Sequence, residues 1–183
     1  MRIAAIPTIY TGIRFRSRLE AKWAMFFDYL QWPWLYEPID LDGYIPDFII
    51  NLHDEILVEV KPGTTTEDLG YATHKIDKSW KRQAIVVGAA VPLPGCDQSN
   101  SDSYPCIGIF NEQGEFGLDG WLECVLFRCG KCQRLSPASI EGSYRCRVCS
   151  AWDGDHLFNP AEVNDIKLVW ANACNKTQWK GGR

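Results

Sequence analysis

Four of the eight cysteines in this 183-residue chain fall as Cys129-Gly130-Lys131-Cys132 and Cys146-Arg147-Val148-Cys149, with thirteen residues between the pairs. A Cys-x-x-Cys turn aims two thiolates at one centre, and two such turns supply the sulfur tetrahedron that a structural zinc prefers. A closed four-sulfur site leaves no open position, so its role is folding rather than catalysis. Two rivals are weaker. Paired disulfides do not suit a reducing compartment, and a thioredoxin-like redox motif lacks its βαβ surroundings. Cys96, Cys106, Cys124 and Cys174 stand alone.

A second group is acidic. Asp47 follows Pro46 inside an apolar stretch, and Glu59 and Lys61 close the run Val58-Glu59-Val60-Lys61. Alternation puts Glu59 and Lys61 on one face of a strand. Whether Asp47 joins them depends on the turn between the strands. A three-residue loop of His53, Asp54 and Glu55 pairs Leu52 with Ile56. Asp47 then lies opposite Lys61, Glu59 lies opposite Ile49, and the three charges converge. A two-residue loop without a bulge sends Asp47 to the other face. An edge-of-sheet salt bridge explains the same trio without any function. Glu20 is a fourth candidate, but Ser17-Arg18-Leu19-Glu20 also fits a capping box, and capping competes with metal chemistry for one carboxylate.

Several elements must position these groups. Residues 14–31 read as a helix with Leu19, Trp23, Phe26, Phe27 and Leu30 on one stripe, stopped by Pro33. Strands are expected over 34–40, 44–52 and 56–61, the last ending at Pro62-Gly63. Thr66 is expected to cap a helix with Leu69, Ala72, Ile76 and Trp80 inward, and 84–91 reads as a strand buried on both faces. Beyond a Pro- and Ser-rich loop, 106–110 and 115–118 suggest a hairpin. A strand over 121–127 leads into the cysteines, and 160–174 suggests a helix before a polar tail. The fold class is α/β, with residues 1–120 as one unit and 121–183 as a second, cysteine-bearing one.

Composition narrows the function classes. With 46% hydrophobic residues the chain is not disordered, and its net charge of −4 does not mark a nucleic-acid binder by bulk charge. No apolar run is long enough to cross a bilayer and no secretory leader is visible, so a cytoplasmic setting with no membrane partner is expected. Local clusters differ from the bulk. Residues 128–149 carry Arg128, Lys131, Arg134, Arg145 and Arg147 against Glu141 alone. That surplus either offsets the charge of a zinc–thiolate site or contacts phosphate. Lys75, Lys78 and Arg82 form a basic face, and such faces are often only solvated.

Glu20, Pro46-Asp47 and Glu59-Val60-Lys61, carried on helix, three strands, helix and strand, resemble the PD-(D/E)XK nuclease superfamily. Arg16-Ser17-Arg18-Leu19-Glu20-Ala21-Lys22-Trp23-Ala24 and Tyr44-Ile45-Pro46-Asp47-Phe48 are similar to small phage and bacterial members. About 127–158 resembles a zinc ribbon. The resemblance implies a restriction-endonuclease-like αβββαβ core with a mixed sheet over about 14–91, plus a small β-rich ribbon. It implies an Mg²⁺- or Mn²⁺-dependent deoxyribonuclease, an endonuclease by expectation, in a bacterium or an infected host cell. Asp47 and Glu59 would bind the metal, the Val60 carbonyl would add a ligand, and Glu20 would complete the shell directly or through water. Lys61 would stabilise the attacking hydroxide. Lys75, Lys78, Arg82, Arg128, Lys131, Arg145 and Arg147 would meet DNA, and a homodimer is one way to cut two strands. Some members have lost catalysis, so a scaffold that binds nucleic acid or a protein through its ribbon is the alternative.

Overall fold

The structure is a computed structural model and describes residues 5–94, 104–112, 120–141, 145–152 and 158–177. It is a mixed α/β arrangement built on an eight-stranded sheet. The first described elements form a small hairpin, β1 (Thr8–Tyr10) and β2 (Ile13–Phe15), that sequence patterning did not anticipate. Its turn, Thr11-Gly12, has positive φ at both residues, the geometry a two-residue hairpin favours. The first helix, α1 (Arg18–Leu30), starts later than expected because Ser17 caps it and β2 occupies residues 13–15.

β3 (Trp34–Tyr36), β4 (Phe48–Asn51) and β5 (Glu55–Val60) form an antiparallel meander. The expected single helix is two short ones, α2 (Thr66–Gly70) and α3 (Thr73–Ser79). Thr65, not Thr66, caps α2, in a reciprocal box with Asp68. β6 (Ala84–Val87) pairs parallel with β5, and the sheet's other pairings are antiparallel. The elements α1, β3–β5, α2/α3 and β6 therefore follow one another in the anticipated order.

The sheet does not stop there. β7 (Cys106–Asn111) pairs with β6 and then with β8 (Leu122–Cys129). Gly108 sits at a register shift where a Cβ would lie 2.0 Å from the Val86 carbonyl oxygen, so no side chain fits there. The second hairpin strand expected at 115–118 lies outside the described residues. β9 (Leu135–Ser139) and β10 (Phe158–Pro160) both pair with β8, and neither was expected. The chain's last described helix is α4 (Val163–Lys176). A boundary at residue 120 thus falls between two strands of one ladder. Cys106 is disulfide-bonded, against the expectation of reduced thiols, whereas Cys124 and Cys174 are free.

Alternation sorts the sheet's side chains into two cores. Phe48, Ile50, Ile56, Val58, Ile85 and Val87 face α1 and α4, where Trp23 packs 4.9 Å from Trp170 and donates its indole N–H to the Gly88 carbonyl at 2.8 Å. Ile49, Leu57, Ala84 and Val86 face Leu69, Ile76 and Trp80 of the α2–α3 side. Phe127, Cys129, Ala138, Cys146 and Ala151 make a third, smaller cluster around the cysteine turns.

Candidate functional site

The register of β4 against β5 decides whether the acidic group assembles. Phe48 faces Val58, Ile49 faces Leu57, Ile50 faces Ile56 and Asn51 faces Glu55. The connecting loop is therefore Leu52-His53-Asp54, three residues long as expected but placed one residue earlier. Three expected pairings are corrected: Leu52 does not oppose Ile56, Glu59 does not oppose Ile49, and Asp47 does not oppose Lys61. Continuing the ladder by one step puts Asp47 across from Glu59 itself. Parity is preserved, so both carboxylates stand on the face that Ile49 and Leu57 share.

They meet at the end of the strands, in an open cleft of about 450 Å³ lined by Asp47, Glu59, Lys61, Glu20, Arg16 and Lys75 among others. Asp47 is 4% exposed and Glu59 8%, so each needs partners. Val60 N–H donates to Asp47 Oδ2 at 2.7 Å, and an Arg16 guanidinium nitrogen lies 2.7 Å from Asp47 Oδ1. The Tyr44 hydroxyl donates to Glu59 Oε2 at 2.8 Å, and the Lys61 ammonium pairs with Glu59 Oε1. Burial first, then the adjacent Glu59 charge, pushes the Asp47 carboxyl up to about 7, against the lowering effect of the Val60 N–H. Burial and the same Glu59 charge hold the Tyr44 phenol well above its ordinary range, so it stays a donor.

Glu20 is engaged differently. Its Oε2 accepts from Arg16 N–H at 3.1 Å and from the Tyr36 hydroxyl at 2.6 Å, and its Oε1 accepts from the Ser17 hydroxyl at 2.8 Å. Ser17 Oγ in turn accepts from Glu20 N–H. The capping role is therefore present, with the return bond made one residue before the cap. Glu20 still lines the cleft, but among the described residues it does not gather with Asp47 and Glu59 into a tight set of ligand atoms. Arg16, Tyr36 and Tyr44 were not singled out as site residues from sequence. Arg16 and Tyr44 appear there only within the stretches similar to phage and bacterial nucleases, and Tyr36 left no signal.

The cysteine group is compact. Ligand atoms of Cys129, Cys132, Cys146 and Cys149 all lie within 4.8 Å of one another, the only such group found among the described residues. Sγ of Cys129 is 3.8 Å from that of Cys149, and Cys132 is 3.7 Å from Cys146. A tetrahedral ion with metal–sulfur bonds of about 2.3 Å has sulfur–sulfur edges of about 3.8 Å. The four sulfurs can therefore hold a metal such as zinc. Backbone bonds shape the two turns alike: Gln133 N–H reaches the Cys129 carbonyl and Ser150 N–H the Cys146 carbonyl, both at 2.8 Å.

The cations named for DNA have different fates. Lys75 lies on the cleft wall. Lys78 and Lys131 are exposed, and half-buried Arg128 donates to the Gln133 carbonyl at 2.8 Å. Arg82 falls beyond the end of α3, pairs with Glu55 at 2.7 Å and covers the Trp80 ring, so it is not part of a helical face. Arg145 pairs with Asp54 at the β4–β5 turn. Their partners, Glu55 and Asp54, stand roughly 13 and 16 Å along the chain from Glu59. Arg147 is a correction: it is 0% exposed and ion-pairs at 3.0 Å with the equally buried Glu112, so it cannot meet a phosphate.

His53 is exposed at the turn and His74 on α3, while His156 lies outside the described residues. No described helix is long and apolar enough to cross a membrane. Comparison with protein-family models, with curated proteins and with solved structures returned no match, so the likeness to a nuclease superfamily rests on these residues and their arrangement alone.

Proposed function

We propose that this chain is a divalent-metal-dependent nuclease, an endonuclease hydrolysing DNA phosphodiester bonds, with a PD-(D/E)XK core and a structural zinc on its four clustered cysteines. The observation that supports it most is the β4–β5 register, which faces Asp47 toward Glu59 on a cleft wall beside Lys61. Two adjoining carboxylates are a hard-oxygen donor set suited to Mg²⁺ or Mn²⁺. Burial first and then Glu59 repulsion raise Asp47, and a divalent cation held by these carboxylates would relieve the repulsion.

Asp47 and Glu59 would hold the metal, with the Val60 carbonyl as a further ligand and Glu20 acting through water. The ion would supply Lewis-acid stabilisation of the scissile phosphate. The protein's own groups do the rest. Val60 N–H and the Tyr44 hydroxyl fix the two carboxylates in place. The attacking water gives up a proton to solvent as its oxygen bonds to phosphorus, and the Lys61 ammonium stabilises the hydroxide charge that develops. The ester P–O bond then breaks, and the leaving alkoxide takes its proton from solvent. Arg16 and Lys75 add positive potential where a phosphate backbone would pass.

A second reading has its own observation. Arg16 on Asp47 and Lys61 on Glu59 already pair both carboxylates. A catalytically silent scaffold that binds nucleic acid or a protein through its zinc module would keep those pairs as structure. The deciding experiment incubates the chain with plasmid, linear, single-stranded and branched DNA in Mg²⁺ or EDTA, beside Glu59→Ala and Lys61→Ala. Cutting that needs Mg²⁺ and vanishes in both variants, with folding and zinc content intact, supports the enzyme. Cutting that persists in both, or DNA binding indifferent to divalent metal with no cutting, rules it out.

A further inference from the structure

Beside the carboxylate cleft stands the most exposed large apolar side chain of the described residues, Tyr71, at 89%. Isolated exposed aromatics are ordinary; this one is notable for its position. It sits in the break between α2 and α3, where Ala72 N–H bonds the Leu69 carbonyl at 3.0 Å. Leu69 before it and Ile76 after it are fully buried. The inward space is therefore taken by its neighbours, and the ring is left in solvent. Its hydroxyl makes no hydrogen bond to any described residue.

A second cleft, of about 510 Å³, lies against this ring and is lined also by Glu59, Lys61, Asp68 and Lys75. Glu59, Lys61 and Lys75 line both clefts, so the two share a wall. Lys75 follows Tyr71 by about one helical turn. An open aromatic face next to ammonium groups is the combination that holds single-stranded nucleic acid, bases on the ring and phosphates on the cations.

We propose that Tyr71 is a stacking platform for an unpaired base of a DNA strand whose phosphate lies over Asp47 and Glu59. The inference rests on the nuclease reading and narrows it: the substrate is single-stranded or locally opened DNA. Bases inside a duplex stack on each other and offer no free face, and freeing one costs binding energy. The uncovered ring and the shared wall of the two clefts carry the inference.

The test measures binding of a labelled single-stranded oligonucleotide and its duplex by fluorescence polarisation. It uses the full chain carrying Glu59→Gln in Mg²⁺, so that the strand stays intact. Tyr71→Ala should weaken single-strand binding roughly ten-fold, within the range of a lost base–aromatic stack. Tyr71→Phe should keep it, and duplex binding should not change. An abasic position scanned along the strand should reproduce the loss at one position in the Tyr71 protein and at none in the Tyr71→Ala protein. Equal single-strand binding by the Tyr71 and Tyr71→Ala proteins, or no single-strand binding by either, overturns the proposal. Cleavage by the Glu59-containing chain separates the two readings. If it cuts while Tyr71→Ala binds and cuts single strands equally well, the platform falls and the nuclease stands. If it cuts nothing while Tyr71→Ala loses single-strand affinity, the nuclease falls and the platform stands.

Discussion

The carboxylate cleft and the cysteine module both bring acidic side chains together, yet they do it in opposite ways. The cysteine group comes from two short turns close in sequence, closes on itself and excludes further ligands. The carboxylate group comes from two strands and borders α1 and α3, stays open at one side, and keeps two acidic groups nearly buried against their mutual repulsion. One arrangement suits an ion that holds a fold together. The other sets aside stability to keep nearly buried charges at the wall of an open cleft.

Removing a metal held by the four cysteines should produce the largest effect. Chelation, or Cys146→Ser, is expected to melt β9 and the cysteine turns, since structural zinc contributes on the order of 10 kcal/mol in small zinc modules. Circular dichroism with zinc quantified in parallel checks this, and a chelated chain with an unchanged melting curve would erase the contrast between the two sites. Next in size is Arg147→Ala. It leaves Glu112 buried without its ion pair, a change that typically costs about 3–5 kcal/mol, and denaturant unfolding measures it.

The cleft should respond with the opposite sign. Asp47→Asn retains an acceptor for Val60 N–H and removes the repelled charge, so the metal-free protein should melt higher while Mg²⁺-dependent cutting disappears. The pH dependence follows from the same residue. Its folded pKa, about 7, lies above its unfolded value near 4. The contribution from this group is therefore greatest at low pH and declines as pH rises from about 4 through about 7. Mg²⁺ should consequently raise the melting temperature more at pH 8 than at pH 5, and an equal shift at both would count against Asp47 as a ligand. The smallest change is expected from Arg82→Ala, which breaks an exposed pair with Glu55 worth at most about 1 kcal/mol.

Legibility in the sequence followed the locality of each feature. The Cys-x-x-Cys pairs announce themselves because each ligand pair lies within one turn. The shared face of Asp47 and Glu59 was readable as a question of parity, whereas the one-residue displacement of the loop was not. Leu52, His53, Asp54 and Glu55 allow either placement, and pairing along the whole ladder decides. The break between α2 and α3 hides because Leu69, Ala72 and Ile76 fit one stripe whether or not the helix is continuous. Arg147 shows the limit most sharply. A basic residue between two cysteines reads as surface until its buried partner, Glu112, is seen just past the end of β7. β9 carries Pro137 and two serines, which argue against a strand in sequence, yet its residues 136–139 are buried.

The ladder that runs from β7 into β8 also governs how this chain can be handled. A fragment cut at residue 120 would carry β7 with one side of its backbone groups unpaired, an invitation to add strands from other chains. It would also lose α4, baring Trp23 and Phe26 where Trp170 had covered them. Such a fragment should aggregate rather than report on the cleft alone. Work on either half, including any exchange of the cysteine module for another, therefore has to move the seam to a place where no hydrogen bonds cross it.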